Sequence, residues 1–142
     1  MSISLNTRHI LLADDDKDDR ILFQDILEEL PLTTHFTTVS NGEQLMQLLN
    51  ETGALLPDVI FLDINMPRKN GFDCLREIKR SEKLKFLPVI IISTSFDPAI
   101  MSLLYRNGAL YYIRKPNSYA QLKRDIHHAL ILTETTNIEL PR

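Results

Sequence analysis

The stretch HILLADDDKDDR, residues 9–20, joins an apolar run to five aspartates within six positions. His9–Ala13 is continuously apolar after its first residue, which is typical of a short strand covered on both faces. After the acidic run, apolar residues recur at three-and-four spacing, Ile21 among them, and predict a helix over Lys17–Glu29. Crowded carboxylates repel one another, so an acidic run that directly follows a buried strand calls for an explanation.

The same alternation of apolar run and helical pattern recurs along the chain. Further strands are predicted at the apolar runs Val59–Leu62, Val89–Ile92 and Leu110–Ile113, and at the β-rich stretch His35–Ser40, which a turn signal follows. Further helices are predicted at Glu43–Thr52, at Phe72–Leu84, from Asp97 to Asn107, and after a cap at Ser118. Five strands that alternate with five helices predict an α/β fold, a parallel sheet with helices on both faces. We interpret residues 1–132 as one domain and residues 133–142 as a tail.

Composition excludes several classes of protein. The chain has 142 residues, of which 44% are apolar and 25% charged, as in ordinary globular domains. Its net charge of −3 gives no support to binding of nucleic acid or of an anionic membrane surface. A single cysteine, Cys74, excludes an internal disulfide framework and suits a reducing cytoplasm. No apolar run could span a bilayer and the N-terminus lacks a signal-peptide layout, so a cytoplasmic location is expected.

Polar residues follow four of the predicted strands, at the edge of the sheet where parallel α/β folds bind ligands. They are Asp14 and Asp15 after the first strand, Asp63 after the third, Ser93 and Thr94 after the fourth, and Lys115, directly before Pro116, after the fifth. In a sheet of order 2-1-3-4-5, Lys115 would stand two strands from Asp63, roughly 10 Å, a distance that only a long side chain crosses. Side-chain length thus matches the expected distances.

The chemistry of these residues points to a metal ion and a phosphoryl group. Three carboxylates without a partner would repel, and a divalent cation removes that conflict. Oxygen-only ligands favour a hard ion such as Mg²⁺. A carboxylate nucleophile beside Mg²⁺, the Lys115 ammonium and the Ser93 hydroxyl is suited to phosphoryl transfer onto aspartate.

Four stretches, in order, resemble the receiver domain of two-component response regulators, from Arg8 to about Leu132. They are ILLADDD (10–16), PDVIFLDINMPRKNGFDCL (57–75), PVIIISTS (88–95) and YYIRKP (111–116). The resemblance implies a flavodoxin-like, doubly wound sheet of strand order 2-1-3-4-5. It also implies a stand-alone regulator, similar to the chemotaxis member of the family, with no DNA-binding output domain and no turnover of a substrate.

The resemblance assigns roles to single residues. Asp63 would accept a phosphoryl group from a sensor histidine kinase or a phosphotransfer protein. Asp14, Asp15, Asp63 and the backbone carbonyl of Asn65 would hold Mg²⁺, or Mn²⁺ in its place. Lys115 would contact the phosphoryl group, and the Lys115–Pro116 peptide bond would be cis.

The resemblance also implies a switch. Ser93 would move toward the phosphoryl group and Tyr112 would fill the space it leaves. The surface of the fourth helix, fifth strand and fifth helix would then change shape for a downstream protein partner. Thr94 stands where the family has a small residue, and together with Asn65 and Ser95 it is expected to tune access and the lifetime of the mark.

The sequence also leaves a subfamily assignment and two alternative functions open. The end NIELPR resembles a short subfamily paired with bacterial phytochromes, which often dimerises, so a homodimer is a further expected partner. A phosphatase of the haloacid-dehalogenase type would use the Asp-x-Asp spacing of Asp14 and Asp16, but has no place for the stretch Asp63–Pro67. A flavodoxin-like cofactor binder would need to cradle a phosphate where this chain has five carboxylates.

Overall fold

A computed structural model describes residues 8–53, 55–95, 97–115 and 118–139, with side chains as far as Glu134. Its strands are β1 (Arg8–Ala13), β2 (Thr34–Val39), β3 (Val59–Asp63), β4 (Val89–Ser93) and β5 (Tyr111–Arg114). Its helices are α1 (Lys17–Glu29), α2 (Gly42–Asn50), α3 (Gly71–Arg80), α4 (Pro98–Arg106) and α5 (Tyr119–Glu139). All neighbouring strands pair in parallel, in the order β2-β1-β3-β4-β5, which confirms the expected topology.

Both faces of the central strands β3 and β4 are buried, because alternate strand residues face two separate apolar layers. The edge strand β2 is only partly buried. In β3, Ile60 and Leu62 pack with α2, α3 and α4, whereas Val59 and Phe61 pack with α1 and α5. Parallel strands covered in this way have continuous apolar sequences, and this property made them recognisable. None of the helices within the described ranges is both long and apolar enough to cross a bilayer.

Four helices begin directly beyond the carboxyl edge of the sheet, and a short polar side chain caps the N-terminus of each. Asp16 caps α1, Asn41 caps α2, Asn70 caps α3 and Asp97 caps α4, each accepting a backbone N–H of the first turn. Gly71 lets α3 start against the end of β3, since a Cβ at this position would collide with the Asp63 carbonyl. The turns at this edge therefore hold their strand-end residues close to helix starts.

The bounds of β2, β5 and α2 differ from prediction by one or two residues at each end, and three larger departures concern α1, α3 and α5. α3 ends at Arg80, because the backbone turns at Ser81, while the predicted last residue Leu84 is buried outside the helix. On α1, Ile21 is 48% exposed and Phe23 is buried, so Phe23 takes the place expected for Ile21 on the apolar face. α5 continues through Glu139, so residues 133–139 are helical. The Thr133 hydroxyl anchors this extension, since it donates to the Leu130 carbonyl and accepts a bond from Arg8.

Candidate functional site

The Lys115 ammonium is the centre of the polar cluster at the carboxyl edge of the sheet. Its Nζ lies 3.0 Å from Asp14 Oδ2, 2.9 Å from Asp19 Oδ2 and 3.1 Å from Asp63 Oδ2. A lysine ammonium has three N–H donors, so each donor faces one carboxylate. The Lys115 side chain is only 14% exposed, and these charge-assisted bonds are therefore partly shielded from water.

The sheet brings these residues together from three separate strands. β1 and β3 are neighbours, with Ala13 opposite Leu62, so Asp14 and Asp63 leave adjacent strands at the same level. Lys115 follows β5, and its backbone N–H donates to the Ser93 carbonyl at 2.7 Å. The long lysine side chain then reaches back past β4 to the carboxylates, as the sequence predicted from strand spacing.

Each buried carboxylate is also held by the turn that follows it. The second oxygen of Asp14 accepts the Asp16 N–H at 3.0 Å, and that of Asp63 accepts the Asn65 N–H at 3.0 Å. Arg20 donates to the Asp14 carbonyl at 2.8 Å, which ties the start of α1 to the end of β1. These bonds fix the orientation of both carboxyl groups before any ligand binds.

Burial and charge act in opposite directions on the protonation of the site. Burial raises the pKa of Asp14 to about 6, with a further increase from Asp63, and the Asp16 N–H and Lys115 only partly offset this. Burial also disfavours the charged form of Lys115, but its bonds to Asp19 and Asp14 outweigh that effect and the pKa of Lys115 is raised. The ammonium therefore stays charged, while burial disfavours the charged form of Asp14.

Asp14, Asp15 and Asp63 are positioned to share a metal ion. One oxygen from each can be chosen so that all three lie within 4.8 Å of one another. Asp14 and Asp63 are buried and Asp15 is exposed, which leaves an open side. Lys115 bonds to three carboxylates and Asp15 adds a fourth to the cluster, so the charge and the oxygen-only donor set fit a hard divalent cation. The role of the Asn65 carbonyl as a further ligand stays a prediction.

The predicted switch residues are linked through one backbone segment. The Ser93 hydroxyl is buried and accepts the Ser95 N–H at 3.1 Å. Tyr112 is buried in the layer shared with α4, and its hydroxyl donates to the Ser95 carbonyl at 2.6 Å. Thr94, between Ser93 and Ser95 in the chain, is exposed. The coupled movement of Ser93 and Tyr112 stays a prediction, and the expected cis bond at Pro116 lies outside the described residues.

Asp19 is the residue that sequence reasoning missed. Acidic residues are stabilised near the positive end of a helix dipole, so the sequence predicts the solvated start of a helix for Asp16, Asp18 and Asp19 alike, and Asp16 does serve as the cap of α1. Asp19 instead makes the shortest of the three bonds to Lys115. Helical side chains tilt toward the N-terminus of their helix, and this tilt directs a first-turn carboxylate back toward the strand ends. That geometric rule was the available signal.

Comparison with known proteins gives one family. The sequence profile of the response regulator receiver domain matches residues 10–127, a range that includes every site residue above. The chain is 35% identical over 115 residues to the probable C4-dicarboxylate response regulator DctR of Bacillus subtilis, covering 81% of this chain and 49% of DctR. It is 30% identical over 117 residues to response regulator Rcp1 of Synechocystis, covering 80% of each. The chain thus spans about half of DctR and most of Rcp1.

Solved structures agree with the sequence matches. The phosphorylated cyanobacterial phytochrome response regulator RcpA superposes with a TM-score of 0.84 at 30% identity, covering 92% of this chain and 96% of RcpA. The Mn²⁺-bound form of Rcp1 superposes with a TM-score of 0.78 at 28% identity, covering 84% of this chain and 88% of that structure. The likeness to phytochrome regulators noticed at the end of the sequence therefore extends over the whole fold.

Proposed function

Because the chain belongs to the family of response regulator receiver domains, we propose that it is a phosphorylation switch in which Asp63 accepts a phosphoryl group. The observation that carries the proposal is the convergence of the Lys115 ammonium on Asp63 and Asp14, beside a three-carboxylate group of suitable size for a metal ion. Mg²⁺ is the proposed ion. Support for a divalent metal also comes from the Mn²⁺-bound structure of Rcp1.

The proposed reaction is transfer from the phosphohistidine of a sensor kinase or a phosphotransfer protein. A carboxylate oxygen of Asp63 attacks phosphorus, the new O–P bond forms as the N–P bond breaks, and the imidazole nitrogen keeps the electron pair. Lys115 lies where one of its N–H groups can bind a phosphoryl oxygen, which stabilises the charge spread over that group in the transition state. When bound by Asp14, Asp15 and Asp63, the metal ion would supply further positive charge to the same oxygens.

The mark is proposed to act through the segment that follows β4. Ser93 and Tyr112 both bond to Ser95, so a movement of Ser93 toward the phosphoryl group would disturb the hydroxyl partner of Tyr112. Tyr112 packs in the same apolar layer as Leu104 of α4. We expect the surface of α4, β5 and α5 to change shape and to bind a downstream protein or a second copy of the chain.

We further propose a stand-alone, cytoplasmic regulator that turns over no external substrate. A dehalogenase-type phosphatase is disfavoured because Asp16, its second carboxylate, is exposed and occupied in capping α1. Incubation with small phosphate esters and Mg²⁺ is expected to release no phosphate beyond the buffer blank.

The experiment that tests the function is intact-mass measurement after incubation with acetyl phosphate. With Mg²⁺ the parent is expected to gain one phosphoryl group that hydroxylamine removes, as an acyl phosphate requires. Asp63→Asn should gain none, while Asp25→Asn, which changes an exposed carboxylate of α1, should behave as the parent does. Equal labelling of Asp63→Asn and parent would contradict the proposal.

A further inference from the structure

The bond between Asp19 and Lys115 points to a role beyond the metal group and the phosphoacceptor. Asp19 Oδ2 lies 2.9 Å from Lys115 Nζ, and the carboxyl side chain is 36% exposed. Asp14 and Asp63, the other two partners of the ammonium, belong to the three-carboxylate group that can hold a metal ion, whereas Asp19 does not. The three bonds are similar in length, but they are expected to respond differently when a cation binds.

A metal ion would weaken two of the three bonds. Asp14 and Asp63 would turn lone pairs to the dication, and an ammonium close to a dication is repelled. Asp19 lies outside the group of candidate ligands, so its attraction for Lys115 would remain. A lysine side chain has four rotatable carbon bonds and loses considerable freedom when it is held in one position. Without a remaining partner, the ammonium would move out toward solvent.

We propose that Asp19 is a positioning residue that keeps the Lys115 ammonium beside Asp63 when a metal ion occupies the site. One N–H of Lys115 would stay on Asp19, and the N–H now directed at Asp63 would become available to a phosphoryl oxygen. The start of α1 places Asp19 for this role, since the Asp16 side chain accepts the Asp18 and Asp19 N–H groups and fixes the first turn. This inference rests on the proposed function of Asp63.

The same structure provides a matched control. Asp18 carries an equal charge in the same first turn of α1 and is exposed, but Lys115 bonds to Asp19 and not to Asp18. Asp18→Asn and Asp19→Asn therefore remove the same charge from the same helix end, and only the second removes a bond to the ammonium. Any general effect of charge on Mg²⁺ affinity should be alike in the two variants.

The test is the rate of phosphorylation by acetyl phosphate at saturating Mg²⁺. Asp19→Asn is expected to slow the reaction about fivefold, as the loss of one partly exposed charged contact in the transition state predicts, and Asp18→Asn much less. In a Lys115→Met background, Asp19→Asn should cause no further loss. An equal loss in that background, an equal loss in Asp18→Asn, or faster phosphorylation of Asp19→Asn would overturn the proposal.

A second measurement separates failure of this inference from failure of the proposed function. If the parent itself takes up no phosphoryl group, the function of Asp63 fails, and the role of Asp19 is decided by denaturation with Mg²⁺ present. A double-mutant cycle of Asp19→Asn and Lys115→Met should then show a favourable coupling that the cycle with Asp18→Asn lacks. Absence of coupling in the presence of Mg²⁺ would overturn the positioning role.

Discussion

Lys115 and Lys79 lie at opposite edges of the sheet, and burial alone would lower the pKa of both. Lys115, after β5, binds three carboxylates. Lys79, on α3, donates to the carbonyls of Lys85 and Leu87, just before β4, at 3.1 and 2.8 Å. Burial lowers the pKa of Lys79, whereas the carboxylates reverse that effect and raise the pKa of Lys115. The partners, and not the depth of burial, decide whether the pKa of each lysine is raised or lowered.

The difference in partners distinguishes Lys79, which has a structural role, from Lys115, which belongs to the candidate site. Lys79 is an isolated cation that satisfies backbone carbonyls, and its stem packs against Gly108, where a Cβ would approach the lysine Cγ to 2.8 Å. Lys115 bonds to three of four clustered carboxylates and Arg20 donates to the Asp14 carbonyl, so negative charge still exceeds positive charge at the site. Two of the four carboxylates, Asp14 and Asp63, are buried, so the imbalance has a cost in stability, and a ligand that carries positive charge removes it.

Lys115→Met should produce the larger loss of stability in metal-free protein. It leaves Asp14 and Asp63 buried without the ammonium, so we expect the free energy of unfolding in urea with a chelator at pH 7.5 to fall by about 3 kcal/mol. Added Mg²⁺ should recover part of the loss, because the metal ion replaces the missing positive charge. A loss that Mg²⁺ does not change would contradict the interpretation of the site as a cation site.

Asp14→Asn should have the opposite effect, and it should depend on pH. The folded-state pKa of Asp14, about 6, lies above its ordinary value of 3.8, so its contribution to stability is present below pH 4 and lost as pH rises through 6. The variant avoids that loss and should be more stable than the metal-free parent at pH 7.5 by about 1–2 kcal/mol, with the difference fading toward pH 4.

Asp15→Asn is the matched control for that measurement. Asp15 belongs to the same metal group but is exposed, so the substitution should weaken Mg²⁺ binding, as Asp14→Asn does, without stabilising the metal-free protein. Equal stabilisation by both substitutions would mean that mutual repulsion, and not the burial of Asp14, accounts for the effect.

Lys79→Met should produce the smallest change. It removes two hydrogen bonds to backbone carbonyls but retains most of the apolar stem, so we expect a loss of about 1 kcal/mol. Mg²⁺ should not alter that loss, and Lys83→Met, at an exposed position of the same segment, should cost less. If Mg²⁺ changed the stability loss caused by Lys79→Met, the distinction between a structural Lys79 and a cation-site Lys115 would be contradicted.

The fold and most of the site followed from the sequence because both depend on local patterns. Continuous apolar runs identified β1, β3, β4 and β5, and a β-rich stretch before a turn signal identified β2. The polar residues that follow the apolar runs placed Asp14, Asp63 and Lys115 at one edge. The strand order itself came from the family resemblance, since alternation of strands and helices does not fix it.

What the sequence could not supply depends on side-chain direction and on contacts distant along the chain. Asp19 was grouped with Asp18 because composition does not show which first-turn carboxylate faces the sheet. The continuation of α5 past Leu132 depends partly on the bond between Arg8 and Thr133, at opposite ends of the chain. The buried face of α1 was misjudged at Ile21 because both it and Phe23 fit an apolar pattern.

The central claim, that Asp63 is the residue that takes the phosphoryl group, can be tested by locating the group in the chain. Protein treated with acetyl phosphate and Mg²⁺ would be reduced with borohydride, which converts an aspartyl phosphate to homoserine, and mapped by peptide mass spectrometry. We predict homoserine at position 63 alone, and none when Mg²⁺ is omitted. Homoserine at Asp14 or Asp15, with Asp63 intact, would contradict the account and favour a nucleophile at the end of β1.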